Sequence, residues 1–192
     1  MMITLSSDRF SGRHAGLRAA RRGFSMLELM VVMAVLTMAV GMFSSTLIST
    51  TRHSRMKREL AIASEGARNA MELMRSQACS TLFATYNTIA GDDPGGPGTA
   101  PGQNFVVPGL EPRVGDADGC VGRILFPTIG GQLREDVVDL NLGMPRDLDG
   151  DVTVDGLSHN GDYILLPVRV RIEWKGVSGD VAFDLYNQFV KS

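Results

Sequence analysis

"RRGFSMLELMVVMAV", residues 21–35, sets an arginine pair, a glycine and a lone glutamate at the head of a run apolar enough to enter a bilayer. Across residues 24–43, twenty positions, the sole charge is Glu28. A helix of that length, rising about 1.5 Å per residue, spans roughly the 30 Å of a hydrocarbon core. A carboxylate there costs about 3 kcal/mol on insertion scales, so it persists where something uses it. The competing account makes Glu28 a snorkelling residue near one end of a plain anchor.

The sequence around this run is asymmetric in charge. Residues 1–23 hold five Arg and one Asp, net +4, so a chain of formal charge -2 carries -6 after Gly23. The flanks give orientation only a lean: Arg9, Arg13, Arg18, Arg21 and Arg22 precede the run, while Arg52, Arg55, Lys57 and Arg58 follow it. The excess in front favours a cytoplasmic N-terminus. A secretory signal has a shorter apolar core, about 7–15 residues, and is cut after it. Ala39-Val40-Gly41 would pass as such a cleavage site, and Arg21-Arg22 echoes a twin-arginine signal. Neither gives Glu28 a role.

A basic leader ending in Gly23, then Phe24, then Glu28 as the fifth residue of the remaining chain, accounts for all of these features. "GFSMLELMVVMAV" resembles the class III leader and N-terminal methylation segment of type IV pilins and pseudopilins. The resemblance covers residues 23–41. It implies that a prepilin peptidase cuts after Gly23 and methylates the new amine of Phe24, and that the apolar run stays as an anchor in the inner membrane. It also implies an assembly role for Phe24 and Glu28, the glutamate of an incoming subunit meeting the N-terminal amine of a subunit already in a filament. Many major pilins carry a proline in this helix; residues 24–51 have none, and Gly41 is the flexible point.

Beyond the anchor the pattern stays helical. Met56, Leu60, Ala63, Ala67, Ala70 and Met74 recur at steps of four and three and form one stripe. This predicts one helix from Phe24 to about Ala78, or on to Tyr86, whose second half lies on a sheet; the stripe is too short, and too rich in small residues, for a coiled coil. Residues 91–119 are rich in Gly and Pro and predict a long surface loop with a short edge strand at Phe105, Val106 and Val107. Strands are predicted at residues 121–126 and 133–140. The strongest alternation is "YILLPVRVRIEW", with Ile164, Leu166, Val168, Val170, Ile172 and Trp174 on one face. Val181, Phe183, Leu185 and Phe189 resume it after a turn, completing a hairpin. The fold class is therefore α+β, a long N-terminal helix packed on a small antiparallel sheet. Its domains are a leader at 1–23, a membrane or filament-core helix at 24–51 and a periplasmic pilin-like domain at 52–192.

Cys79 and Cys120 bracket the Gly/Pro-rich loop. A disulfide between them would close it, contributing about 4 kcal/mol by loop entropy; two free thiols are the alternative. Placement of the domain in the periplasm favours the bridge. In "DLDGDVTVDG", Asp147, Asp149, Asp151 and Asp155 have the alternate spacing by which a turn gathers oxygens round calcium. Val152 stands where the EF-hand has glycine and Ser158 where it has its bidentate glutamate, so a solvated acidic turn is the competing account. Calcium is the one cofactor the sequence suggests.

Catalysis finds little support. His14, His53 and His159 recur at no metal-ligand or triad spacing, His159 reads as a solvated loop residue, and "DDPGGPG" lacks the lysine and helix of a phosphate loop. An acidic mature chain whose basic cluster is Arg169 with Arg171 predicts no nucleic-acid partner. The expectation is a structural, non-enzymatic subunit, a minor pilin or type II secretion pseudopilin, whose partners are the prepilin peptidase, similar subunits and the inner membrane. A single-pass anchored periplasmic binding domain that never polymerises is the alternative.

Overall fold

The computed structural model of the chain describes residues 23–191, so the basic leader before Gly23, with His14, lies outside the described residues. The described elements are α1 (Met26–Arg75), α2 (Cys79–Tyr86), β1 (Asn104–Phe105), β2 (Gly122–Leu125), β3 (Thr128–Ile129), β4 (Gln132–Leu133), β5 (Leu165–Gly176) and β6 (Gly179–Val190). The chain divides into two compact units between Leu47 and Ile48.

The first unit holds Phe24 and the start of α1, and the apolar side chains from Phe24 to Leu47 are exposed. Its hydroxyls bond within the helix: Thr37 Oγ1 donates to the Ala34 carbonyl at 2.9 Å, Ser45 Oγ and Thr46 Oγ1 to that of Met42 at 2.8 and 3.0 Å. Polar groups so satisfied add little cost in an apolar layer.

In the second unit residues 165–176, which alternate from Val168 to Trp174, form the central strand of the sheet. Leu166, Val168, Val170, Ile172 and Trp174 are buried, and Arg169, Arg171 and Glu173 point away from the core. Strand order is β1-β2-β5-β6, all antiparallel. β5 and β6 pair from Leu165↔Val190 to Gly176↔Gly179, leaving a two-residue turn at Val177 and Ser178, after which Gly179 opens β6 with a φ of 127°. Pro167 sits inside β5 without breaking the sheet, because β2 pairs with β5 only from Arg169 onward and no ladder bond is due on that side. Opposite charges cover the outer face: Arg171 lies 2.7 Å from Glu173, and Arg113 lies 3.0 Å from the same carboxylate.

The helical stripe closes the core from the other side. Ala63, Ala67, Met71 and Met74 of α1 are buried together with Leu82, Phe83 and Tyr86 of α2. Met56 and Leu60, the first two members of the predicted stripe, remain largely exposed. Small residues let the helix approach closely: a Cβ on Gly66 would stand 2.8 Å from Val107 Cγ1 and 3.5 Å from Ile172 Cδ1. Across the same contact Trp174 Nε1 donates to Glu59 Oε2 at 3.2 Å.

Three predicted elements differ. The long helix stops at Arg75, and extended backbone at Ala78 starts the separate α2. The edge strand is only Asn104–Phe105, with Val107 buried beyond it. The strand expected over 133–140 does not form: β4 ends at Leu133, after which Glu135 turns inward and Asp139 caps its own turn, accepting from the Asn141 and Leu142 amides at 3.0 and 3.3 Å. These side-chain bonds compete with a strand ladder.

Candidate functional site

At the N-terminal segment, residues 23–25 are non-helical and Ser25 sets the helix start. Its Oγ accepts from the Leu27 amide at 3.2 Å, satisfying one of the donors a helix leaves free, and its carbonyl accepts the first helical bond from the Leu29 amide at 3.1 Å. That start places Glu28 in the first turn of α1, where the helix N-terminus favours an anion. Phe24 is 78% exposed, four residues from Glu28, and no described residue lies within 4 Å of where a Gly23 Cβ would be. Among the described residues nothing covers this stretch. α1 is long and apolar enough to cross a membrane, and none of its most apolar window is buried.

The second cluster is the loop after β4. Asp147 folds the turn, its Oδ1 accepting from the Gly150 amide at 2.6 Å and its Oδ2 from the Val152 amide at 2.8 Å. Asp149 Oδ1 accepts from the Asp151 amide at 3.0 Å, and Asp151 Oδ1 accepts from the Thr153 amide and hydroxyl at 2.7 and 2.6 Å. The Thr153 bonds hold the Asp151 carboxyl below the usual carboxylate range. Asp147, Asp149 and Asp151 each bring one oxygen within 4.8 Å of the other two. Val152, at the position the EF-hand gives to glycine, has a φ of 72°, a left-handed conformation uncommon for a β-branched residue. Asp155 does not join the three: its Oδ1 accepts from the Leu157 amide at 2.7 Å and lies 3.2 Å from His159 Nε2.

Two residues of this cluster escape the sequence. Glu135 is 1% exposed; its Oε1 accepts from the Leu148 and Asp149 amides and its Oε2 from the Asp155 amide at 3.1 Å. Leu133 and Glu135 share strand parity, so an inward Leu133 was the available signal for an inward Glu135. His159, expected in solvent, is 4% exposed and surrounded by carboxylates: Asp155 at 3.2 Å and Glu135 at 3.9 Å from Nε2, Asp162 at 3.4 Å and Asp149 at 3.6 Å from Nδ1. Burial lowers the pKa of the imidazole. The Asp155 contact and the charges of Glu135, Asp162 and Asp149 outweigh it, leaving the pKa above the ordinary histidine value.

Residues 18–44 match the family model of the prokaryotic N-terminal methylation motif. They form a type IV pilin-type cleavage and methylation segment. No curated protein and no solved structure matches the chain. The methylation segment thus begins before Gly23 and ends within the apolar first unit, taking in Gly23, Phe24 and Glu28. With its long N-terminal apolar helix and small antiparallel sheet, the chain has an α+β, pilin-like fold.

Cys79 at the start of α2 and Cys120 before β2 are both half-buried and unbridged in this structure. Burial pushes the Cys79 thiol pKa up, with Lys191 acting weakly in the opposite direction. Arg169 and Arg171, the basic pair on β5, lie within 4 Å of Asp139, Asp184 and Glu173. The sheet face is thereby charge-compensated, not a basic patch.

Proposed function

We propose that the chain is a structural subunit of a type IV pilus-like filament, a minor pilin or type II secretion pseudopilin, that is cut after Gly23 by a prepilin peptidase and anchored in the inner membrane before assembly. The observation that carries this reading is the placement of Gly23, Phe24 and Glu28 within the methylation segment, on an open helix start followed by an unburied apolar face. Cleavage converts the Phe24 amide into a cationic amine. Glu28 supplies the opposite charge from the same layer. Within one chain the two are neighbours along the helix; between chains the pairing neutralises both and sets the register of one apolar helix against the next. Desolvation offsets much of the Coulomb attraction, so register is the larger benefit.

Intact mass of the chain expressed with and without the peptidase tests the processing step. Recovery of the tagged chain with partner subunits, or by cross-linking in a sheared filament, tests assembly. The reading expects a shortened, methylated chain only when the peptidase is present, and incorporation only of that form.

A further inference from the structure

The loop after β4 gathers more carboxylates round a buried histidine than the ring can neutralise, from the enclosed Glu135 to the exposed Asp162. Glu135, Asp149, Asp155 and Asp162 each place an oxygen within 4 Å of the His159 ring nitrogens. Doubly protonated, the ring gives one positive charge against four negative ones, and singly protonated it gives none, in a site where His159 and Glu135 are almost wholly enclosed. Three backbone donors already hold Glu135 in place, which accounts for its position but not for the histidine beside it.

His159 Nδ1 is the second observation. It is buried and has no hydrogen-bond partner, although Asp149 Oδ2 stands 3.6 Å away. With the proton on Nε2, the ring donates to Asp155 Oδ1 at 3.2 Å and presents the Nδ1 lone pair towards Asp149 and Asp162. A carboxylate on the far nitrogen is the usual way a metal-binding histidine is oriented. One ligand atom each from Glu135, Asp149 and His159 lies within 4.8 Å of the other two. Bonds of about 2.0–2.2 Å to one centre place tetrahedral ligand atoms roughly 3.3–3.6 Å apart, close to the Nδ1 to Asp149 separation.

We infer that Glu135, Asp149 and His159 form a binding site for a divalent transition cation of zinc-like chemistry, with one imidazole nitrogen and two carboxylate oxygens as protein ligands. Asp162 Oδ1, 3.4 Å from Nδ1 and on the exposed side, is a further donor within reach. The nitrogen ligand separates this site from an all-oxygen calcium turn, since imidazole suits zinc and its neighbours while calcium and magnesium take oxygens. Asp149 belongs to both groupings, so a cation at the histidine withdraws it from Asp147 and Asp151. Bound metal would tie the end of β4 to the 147–159 loop. The inference is independent of whether the chain polymerises.

The test uses the full chain purified in detergent, stripped with a chelator and titrated with Zn2+ alone and with Ca2+ alone. One Zn2+ per chain should bind and raise the thermal midpoint, and a large excess of Ca2+ should not displace it. His159→Gln should lower zinc affinity by more than about tenfold, whereas Asp151→Asn should leave it unchanged. Because a change at a buried histidine can impair folding, zinc-edge X-ray absorption of the wild-type complex gives a second readout, expected to show imidazole scattering. Absence of zinc binding, an oxygen-only spectrum, displacement by equimolar Ca2+, or unchanged affinity in folded His159→Gln would each overturn the site.

Discussion

Glu28 lies four residues from Phe24, with Ser25 fixing the start of the helix between them. Removing its charge makes the segment more apolar, so Glu28→Ala should insert and be cleaved normally while failing to join a filament. Cross-linking of the variant as efficiently as wild type would show that Glu28 does not pair with a neighbour's amine. Glu135 is the other carboxylate held for a reason. Glu135→Leu keeps apolar bulk but leaves the Leu148, Asp149 and Asp155 amides without acceptors. It should cost about 3 kcal/mol or more, read as a lowered denaturation midpoint. A midpoint within error of wild type would mean that water replaces the carboxylate. For Cys79 the raised pKa leaves little thiolate, the reactive form, at neutral pH. Its alkylation should be slow there and accelerate only above the ordinary thiol range; rapid labelling at neutral pH would contradict the burial.

At the scale of elements, α1 meets the sheet and the 101–108 segment through contacts with little slack. Gly66→Ala gains about 1 kcal/mol of helix propensity, but its new Cβ, 2.8 Å from Val107 Cγ1, overpacks the contact. Overpacking costs about 1–3 kcal/mol, so the net effect should be mild destabilisation. Adding Val107→Ala should recover part of the loss. Stabilisation by the single change would show that Val107 yields freely. The β5–β6 hairpin was the most legible element because period-two alternation runs from Val168 to Trp174 in β5 and one face is core. The helix break at residues 76–78 was not legible, since no Gly or Pro marks it: Ser76 Oγ bonds the Leu73 carbonyl, and α2 turns away to bury Leu82, Phe83 and Tyr86. Residues 133–140 misled for a related reason. Their apolar positions suggest a strand, whereas Val138 and Leu140 are exposed and the buried members are Leu133 and Glu135.

Across the molecule, the two clusters differ in how far sequence could reach them. Gly23, Phe24 and Glu28 are adjacent in the chain, so their spacing alone carries the methylation segment. Asp147, Asp149 and Asp151, two residues apart in one turn, also bring oxygens within 4.8 Å of one another. Glu135 and His159 come together only through the fold, across the intervening loop, and a charged residue's burial leaves almost no trace in a single sequence. The most direct test of the central claim is the intact mass of the chain isolated from membranes that contain prepilin peptidase. The account predicts a polypeptide beginning at Phe24 and carrying one added methyl group, with full-length precursor persisting when Gly23 is replaced by a bulky residue. A full-length chain in the presence of active peptidase, an N-terminus at Met42 after the apolar run, or normal maturation of the Gly23 variant would contradict it.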